Sequence, residues 1–256
     1  MELRRTFDED EANYERARPG YADELYEAVF SYAGIGAVSE ALEIGIGTGQ
    51  ATTPFLNRGC RVAAVELGAR LASFSEKKFA DFRKFEVKHG DFMELPLEQE
   101  RYDLVYAATA FHWLPPEACG KVWNLLKYGG AVALFWNRPF VNCMDDPSNV
   151  ANRKIYEKYR PGENPRKAPW GLEDCRLRLE ELRKAGFSDV EVKLFHRIRT
   201  LSAEDYIALL NTYSDHRVLP LETRQAFERD MLDAINEVGG RIRIYDTMDL
   251  YLGRKK

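Results

Sequence analysis

Three glycines alternate along Ala41-Leu42-Glu43-Ile44-Gly45-Ile46-Gly47-Thr48-Gly49-Gln50, with Glu43 two residues before the first of them. A second apolar run, Val62-Ala63-Ala64-Val65, ends in another carboxylate, Glu66. Glycines at a strand-to-helix turn let backbone approach a ligand with no Cβ in the way. The helix beyond such a turn offers unpaired N–H groups at its N-terminus. An acid ending the neighbouring strand can accept hydrogen bonds from both hydroxyls of a ribose. Gly45, Gly47, Gly49 and Glu66 therefore predict a pocket for an adenosine-type cofactor. The dinucleotide spacing G-x-G-x-x-G, whose open turn admits a pyrophosphate, is not the spacing present.

These residues need strands and helices to hold them, and the chain from 38 to 136 supplies both in alternation. Val38–Ile44 is a nearly continuous apolar run, as buried parallel strands are. Thr48–Asn57 predicts the first helix, with Pro54 admissible in its first turn or as a kink. Arg61–Glu66 reads as the second strand, and Leu71, Phe74, Phe79 and Phe82 then share one face of a helix over Ala69–Phe82. Phe85–Lys88 and Tyr102–Ala107 read as the third and fourth strands. Glu117–Leu126 reads as a helix stopped by Gly129-Gly130, and Ala131–Trp136 as a fifth strand. Alternation of this kind implies an α/β fold with parallel strands and right-handed crossovers.

The pattern changes after Trp136. Residues 137–172 hold five prolines (Pro139, Pro147, Pro161, Pro165 and Pro169), which predicts loops around one helix near Val150–Tyr159. Glu173–Ala185 returns to helix. Asp189–Arg199 alternates strictly, placing Val190, Val192, Leu194 and Ile198 on one face with His196. The last segment does the same with Ile242, Ile244, Met248, Leu250 and Leu252. Two such strands predict an antiparallel edge hairpin. Between them, Ser202-Ala203-Glu204-Asp205 resembles a capping box, followed by Tyr206, Leu209, Leu210 and Tyr213 at helical spacing. A second helix carries Phe227, Met231, Ala234, Ile235 and Val238. The organisation is one domain over 1–256: a lid segment 1–32, a cofactor core 33–136, cap insertions 137–185 and 202–238, and edge strands 189–200 and 241–252.

At 256 residues the chain can bury a large core. Its 37 basic and 41 acidic residues leave a net charge of −4, which gives no reason to expect a nucleic-acid partner. No apolar run reaches the roughly 18–20 residues that span a bilayer, and the start, Met1 to Glu11, lacks a signal-peptide core. Four separated cysteines form no C-x-x-C pair. They predict neither zinc nor a disulfide framework, and a cytoplasmic home.

The arrangement Glu43-x-Gly45-x-Gly47-x-Gly49 resembles the first motif of the S-adenosylmethionine-dependent methyltransferases with a Rossmann-like sheet. Seven strands with a final antiparallel pair extend the resemblance over most of the chain. The likeness is to small-molecule methyltransferases of the trans-aconitate-methyltransferase-like kind, the type 11 group. Tyr14-x-x-x-Arg18-Pro19-Gly20-Tyr21 is similar to that group's leading segment. His89-Gly90-Asp91-Phe92 is similar to its adenine-binding loop, and Phe111-His112-Trp113 to the loop after its fourth strand. Leu125-Leu126-Lys127-Tyr128-Gly129-Gly130 matches the turn before its fifth strand, where proline is commoner than Tyr128. The implied fold is a Rossmann-like seven-stranded mixed sheet, mostly parallel with an antiparallel last strand, bearing helices on both faces and a helical cap.

The resemblance implies a role for each matched residue. Backbone at Gly45, Gly47 and Gly49 would lie against the ribose and methionine part of S-adenosyl-L-methionine, with Glu66 on the ribose diol. Glu43 would orient the methionine part, or else cap the next helix as a strand-end acid. Asp91 would accept from the adenine amine while the Phe92 N–H serves a ring nitrogen; alternatively, Asp91 only makes a turn. Tyr14 and Arg18 would meet the methionine carboxylate, unless Arg18 merely starts a surface helix. Ala108, at the end of the fourth strand, would be a further cofactor-binding residue. His112 is the best-placed general base, or a histidine of the pocket wall. Ala108-Thr109-Ala110-Phe111 stands where adenine-amine and glutamine-amide methyltransferases carry N-P-P-[YF], which argues against those two substrates. The cap segments 1–32, 137–185 and 202–238 suggest a modest enclosed small-molecule methyl acceptor, with S-adenosyl-L-homocysteine as product. Two other classes remain open here: an NAD(P)-dependent Rossmann oxidoreductase, for which Tyr156 and Tyr159 lack a Tyr-x-x-x-Lys partner, and a non-catalytic S-adenosylmethionine-binding protein.

Overall fold

The computed structural model describes residues 11–162 and 165–256. The charged opening segment Met1–Asp10, including most of the stretch tested for a signal peptide, lies outside the described residues. Elements follow the chain as α1 (Glu11–Ala17), α2 (Asp23–Ala33), β1 (Glu40–Ile44), α3 (Thr53–Asn57), β2 (Arg61–Glu66), α4 (Ala69–Lys78), β3 (Phe85–His89) and β4 (Tyr102–Ala108). Then come α5 (Ala118–Leu125), β5 (Leu126–Phe140), α6 (Pro147–Tyr159), α7 (Arg176–Lys184), β6 (Ser188–Ser202), α8 (Ala203–Leu210), α9 (Ser214–Arg217), α10 (Leu221–Glu237) and β7 (Arg241–Arg254).

The seven strands form one sheet in the order β3-β2-β1-β4-β5-β7-β6. Pairings from β3 through β5 are parallel, and β7 runs antiparallel to both β5 and β6. β7 thus lies inside the sheet, and only β6 of the terminal pair sits at an edge. Ile242, Ile244, Met248, Leu250 and Leu252 are completely buried there. On β6 Val190, Val192 and Leu194 are half-buried, but Ile198 on the same face is 61% exposed.

The strands are apolar on both faces because both faces are covered. Ala41, Val62 and Ala64 pack towards α2 and α3, which supply Leu25, Tyr26, Val29, Phe30 and Phe55. Leu42, Ala63 and Val65 face the other way, towards Val122 and Leu125 of α5 and Leu182 of α7. A third cluster forms the cap, where Tyr206, Leu209 and Leu210 of α8 meet Phe227, Met231 and Ile235 of α10. Two helices of this region start on polar caps: at α6 Asp146 accepts from the Ser148 N–H at 3.0 Å, and at α8 Ser202 accepts from the Asp205 N–H at 3.1 Å.

Two expected elements differ. The helix over Thr48–Asn57 is a series of turns up to Thr52 and only then the five-residue α3. Gly45, Gly47 and Gly49 all hold left-handed φ values of +70°, +58° and +82°, so the chain keeps turning where a helix would need negative φ. Gly129-Gly130 does not stop a helix before a new strand. It is a bend within β5, where the pairing with β4 shifts register between Tyr102 and Leu104.

Candidate active site

Parallel sheets of this kind open a crevice at the carboxyl ends of their strands where the strand order reverses. Here the reversal falls between β1 and β4, and a cavity of about 300 Å³ lies there. That is the size of a small-ligand pocket. Gly45, Gly47, Glu66, Asp91, Phe92, Ala108 and His112, each from a strand end or the loop after it, line the cavity. Glu43 also lines it, as do Tyr14 and Arg18 from α1 and the turn after it. Gly49 shapes the loop from behind. A Cβ there would clash with the Phe79 ring, and one on Gly45 would meet the Ala110 Cβ at 2.6 Å. At these two positions only glycine fits.

Glu66 ties the cradle together. Its Oε2 accepts from the Gly47 N–H at 2.8 Å and its Oε1 from the Gly68 N–H at 2.9 Å. A carboxylate has about four lone-pair sites, so these two backbone bonds do not by themselves use up its acceptors. Glu43 is 1% exposed, and its Oε2 accepts from the Thr52 hydroxyl at 2.7 Å and the Tyr106 hydroxyl at 2.8 Å. Loss of water raises its pKa to about 7, with nearby Glu66 adding to the rise against the two hydroxyl donors. Asp91 accepts from the Met93 N–H at 2.8 Å through Oδ1, so it does form a local turn while lining the cavity. Phe92 is buried beside it.

Over the cavity, α1 is fastened to the glycine loop and to the cap. Glu15 accepts from Lys78 at 2.6 Å and from Gln50 at 3.2 Å. Asn13 donates to the Ala208 carbonyl at 3.0 Å and Arg18 to the Thr212 carbonyl at 2.8 Å. The Arg18 guanidinium lies between the Tyr14 and Tyr213 rings, 5.1 and 4.7 Å from their centroids.

Several lining groups carry no local sequence signal. Thr109 holds φ = +55°, uncommon for a β-branched residue, and its hydroxyl meets the Tyr21 hydroxyl at 2.7 Å. Arg199 of β6 shares the buried Asp246 with Arg197 and reaches the cavity wall. His112 accepts from the Trp136 indole N–H through Nδ1 at 3.0 Å. The residue is exposed towards the cavity, and protein packed against the inner edge of the ring removes part of its water. That loss, with Arg138, Arg178 and Arg18 nearby, pushes its pKa down to about 4. His196 of β6 is outside the cavity lining and meets the Thr247 hydroxyl at 3.2 Å.

A crevice of glycine backbone with an acid at the next strand end, on a sheet of this order, defines a Rossmann-like methyltransferase. A sequence-family model described as a methyltransferase domain matches residues 42–134. A methyltransferase-like protein of Schizosaccharomyces pombe is 30% identical over 96% of this chain and 91% of its own length. A second S. pombe protein, named a methyltransferase, is 29% identical over 96% of this chain and 92% of its own. The chain belongs to the S-adenosylmethionine-dependent methyltransferase family. Among solved structures, phosphoethanolamine N-methyltransferase 2 of Haemonchus contortus shares the fold, with a TM-score of 0.57 at 15% identity over 98% of this chain and 60% of that longer one. Among the described residues no helix is long and apolar enough to cross a membrane.

Proposed function

We propose that this methyltransferase acts on a small molecule enclosed between the cofactor loop and the helical cap. The observation that carries the reading is the shared lining of one cavity. Gly45, Gly47 and Glu66 form one end, while Tyr213, Ser214 and Asp215 of the cap and Arg199 of β6 line the same space. The acceptor shares this space with the cofactor, so a molecule smaller than the cavity fits beneath that roof and a folded macromolecule does not.

S-adenosylmethionine, when bound, supplies a methyl group already activated by a positive sulfonium. The chain's own groups supply the rest. Glu66 accepts from the ribose hydroxyls while holding the loop N–H groups in line. Asp91 and the Phe92 N–H serve the adenine edge, with Ala108 closing the pocket beside them. Glu43 and the glycine backbone position the methionine part. Tyr14 and Arg18 meet its carboxylate, and α1 acts as a lid that excludes water, so orientation in a dry cavity does most of the catalytic work.

The test is incubation of the purified protein with methyl-labelled S-adenosylmethionine and pools of metabolites, and separately with RNA and protein extracts. Label entering a small molecule supports the reading. Label entering only macromolecules refutes it.

A further inference from the structure

His112 stands where a general base would stand, yet the groups behind it set the ring for another task. Trp136, buried on β5, donates its indole N–H to His112 Nδ1. An indole can only donate, so Nδ1 must be the lone-pair nitrogen and the ring proton must reside on Nε2. Protonating Nδ1 would set two N–H groups against each other. The indole is itself fixed from three sides. Arg138 and Arg178 lie 5.1 and 5.3 Å from its ring centroid, and the Tyr251 ring meets it edge-on at 5.7 Å. Arg138 in turn grips the completely buried Asp249 with bonds of 3.1 to 3.2 Å, and Tyr251 donates to the same carboxylate at 2.9 Å.

The charged groups that bear on the ring come from three elements. They are Arg138 of β5, Arg178 of α7 and Arg18 after α1. Asp249 balances the first and Glu181 the second, while the Arg18 guanidinium is held at the Thr212 carbonyl. Among the described residues, Nε2 meets no hydrogen-bond partner, and His112 lines the cavity. The one donor this ring can offer is therefore left for a ligand.

We infer that Trp136 is a positioning residue that fixes His112 as a hydrogen-bond donor, so that Nε2–H holds an oxygen or nitrogen lone pair of the methyl acceptor and takes no proton from it. The inference rests on the cavity being the methyl-transfer site. It narrows the acceptor class to molecules with a lone-pair atom beside the methylated one, whose nucleophile needs no histidine to release it.

Nitrogen-15 spectra of the full chain with labelled histidine test this directly. The His112 signal is assigned by its loss in His112→Gln. The expected result is the Nε2–H tautomer with no titration between pH 5.5 and 8. An Nδ1–H tautomer, or a midpoint inside that range, overturns the inference. In Trp136→Phe the midpoint should climb by about one unit or more towards the ordinary histidine value near 6.5, with the tautomers mixing; an unchanged ring overturns it. If that variant does not fold, the wild-type tautomer still decides. With the acceptor from the labelling screen, His112→Gln, whose amide still donates, should keep turnover within about tenfold of wild type while His112→Phe falls further. Equal losses of a hundredfold or more in both would mark a base. Calorimetric titration of the same samples with S-adenosylhomocysteine reports on the cofactor site separately, so failure there is distinguishable from a wrong tautomer.

Discussion

Replacing Glu43 by Gln keeps the shape and both hydroxyl partners of this side chain but removes its charge. In the wild type the carboxyl has a pKa near 7 in the folded chain against the ordinary value of 4.5. Between those values the native state binds more protons than the unfolded state, so stability falls as pH rises through the window. The penalty is complete above about pH 7 and absent below about 4.5. At one pKa unit per 1.36 kcal/mol, it amounts to about 3 kcal/mol as a ceiling. Thr52 and Tyr106 can donate to an amide oxygen as they do to the carboxylate, so little is lost in exchange. The assay is thermal or urea unfolding of both proteins from pH 5 to pH 8.5. Glu43→Gln should match wild type near pH 5 and exceed it increasingly towards pH 8, by roughly 5–10 °C at most for a chain of this size. A difference that stays constant with pH, or one that shrinks as pH rises, would refute the reasoning.

Two further perturbations follow from the site's geometry. Gly49→Ala forces a side chain into a left-handed backbone and sets its Cβ against the Phe79 ring, so urea denaturation should show a loss of about 2–5 kcal/mol; a loss below 1 kcal/mol contradicts the close approach. Lys78→Met removes the partly exposed link from α4 to Glu15 on the lid, so stability should change by less than about 1 kcal/mol while S-adenosylhomocysteine leaves about two- to fivefold faster in stopped-flow release. Unaltered release would mean that α1 does not gate the pocket.

The parts of the site that could be read from the sequence are those built by neighbouring residues. Glu43 to Gly49 and Val62 to Glu66 carry their geometry in residue type and short spacing, and parallel pairing of β1 with β2 brings the two carboxylates to one crevice. The partners of Glu43 and His112 could not be read this way. Tyr106 reaches Glu43 because those two residues pair across β1 and β4, 63 positions apart in the chain. Trp136 reaches His112 from a strand that begins after an intervening helix. Such pairs depend on strand order and register, which apolar patterning within one strand does not encode. The same limit hid the interior position of β7, since alternation reports a buried face but not which strand covers the flank. The helix expected from Thr48 failed for a different reason. Apolar spacing at Ala51, Phe55 and Leu56 is satisfied as well by turns followed by one short helix, and the left-handed glycines select the turns.

Everything in the functional account depends on Glu66 joining the glycine loop to a bound ribose. Calorimetric titration of the wild type and of Glu66→Ala with S-adenosylhomocysteine measures that directly. The account predicts saturable one-to-one binding by the wild type and a loss of affinity of about tenfold to a hundredfold or more in the variant, as removal of charge-assisted hydrogen bonds requires. Equal affinity in the two proteins, or no binding by the wild type, would contradict it.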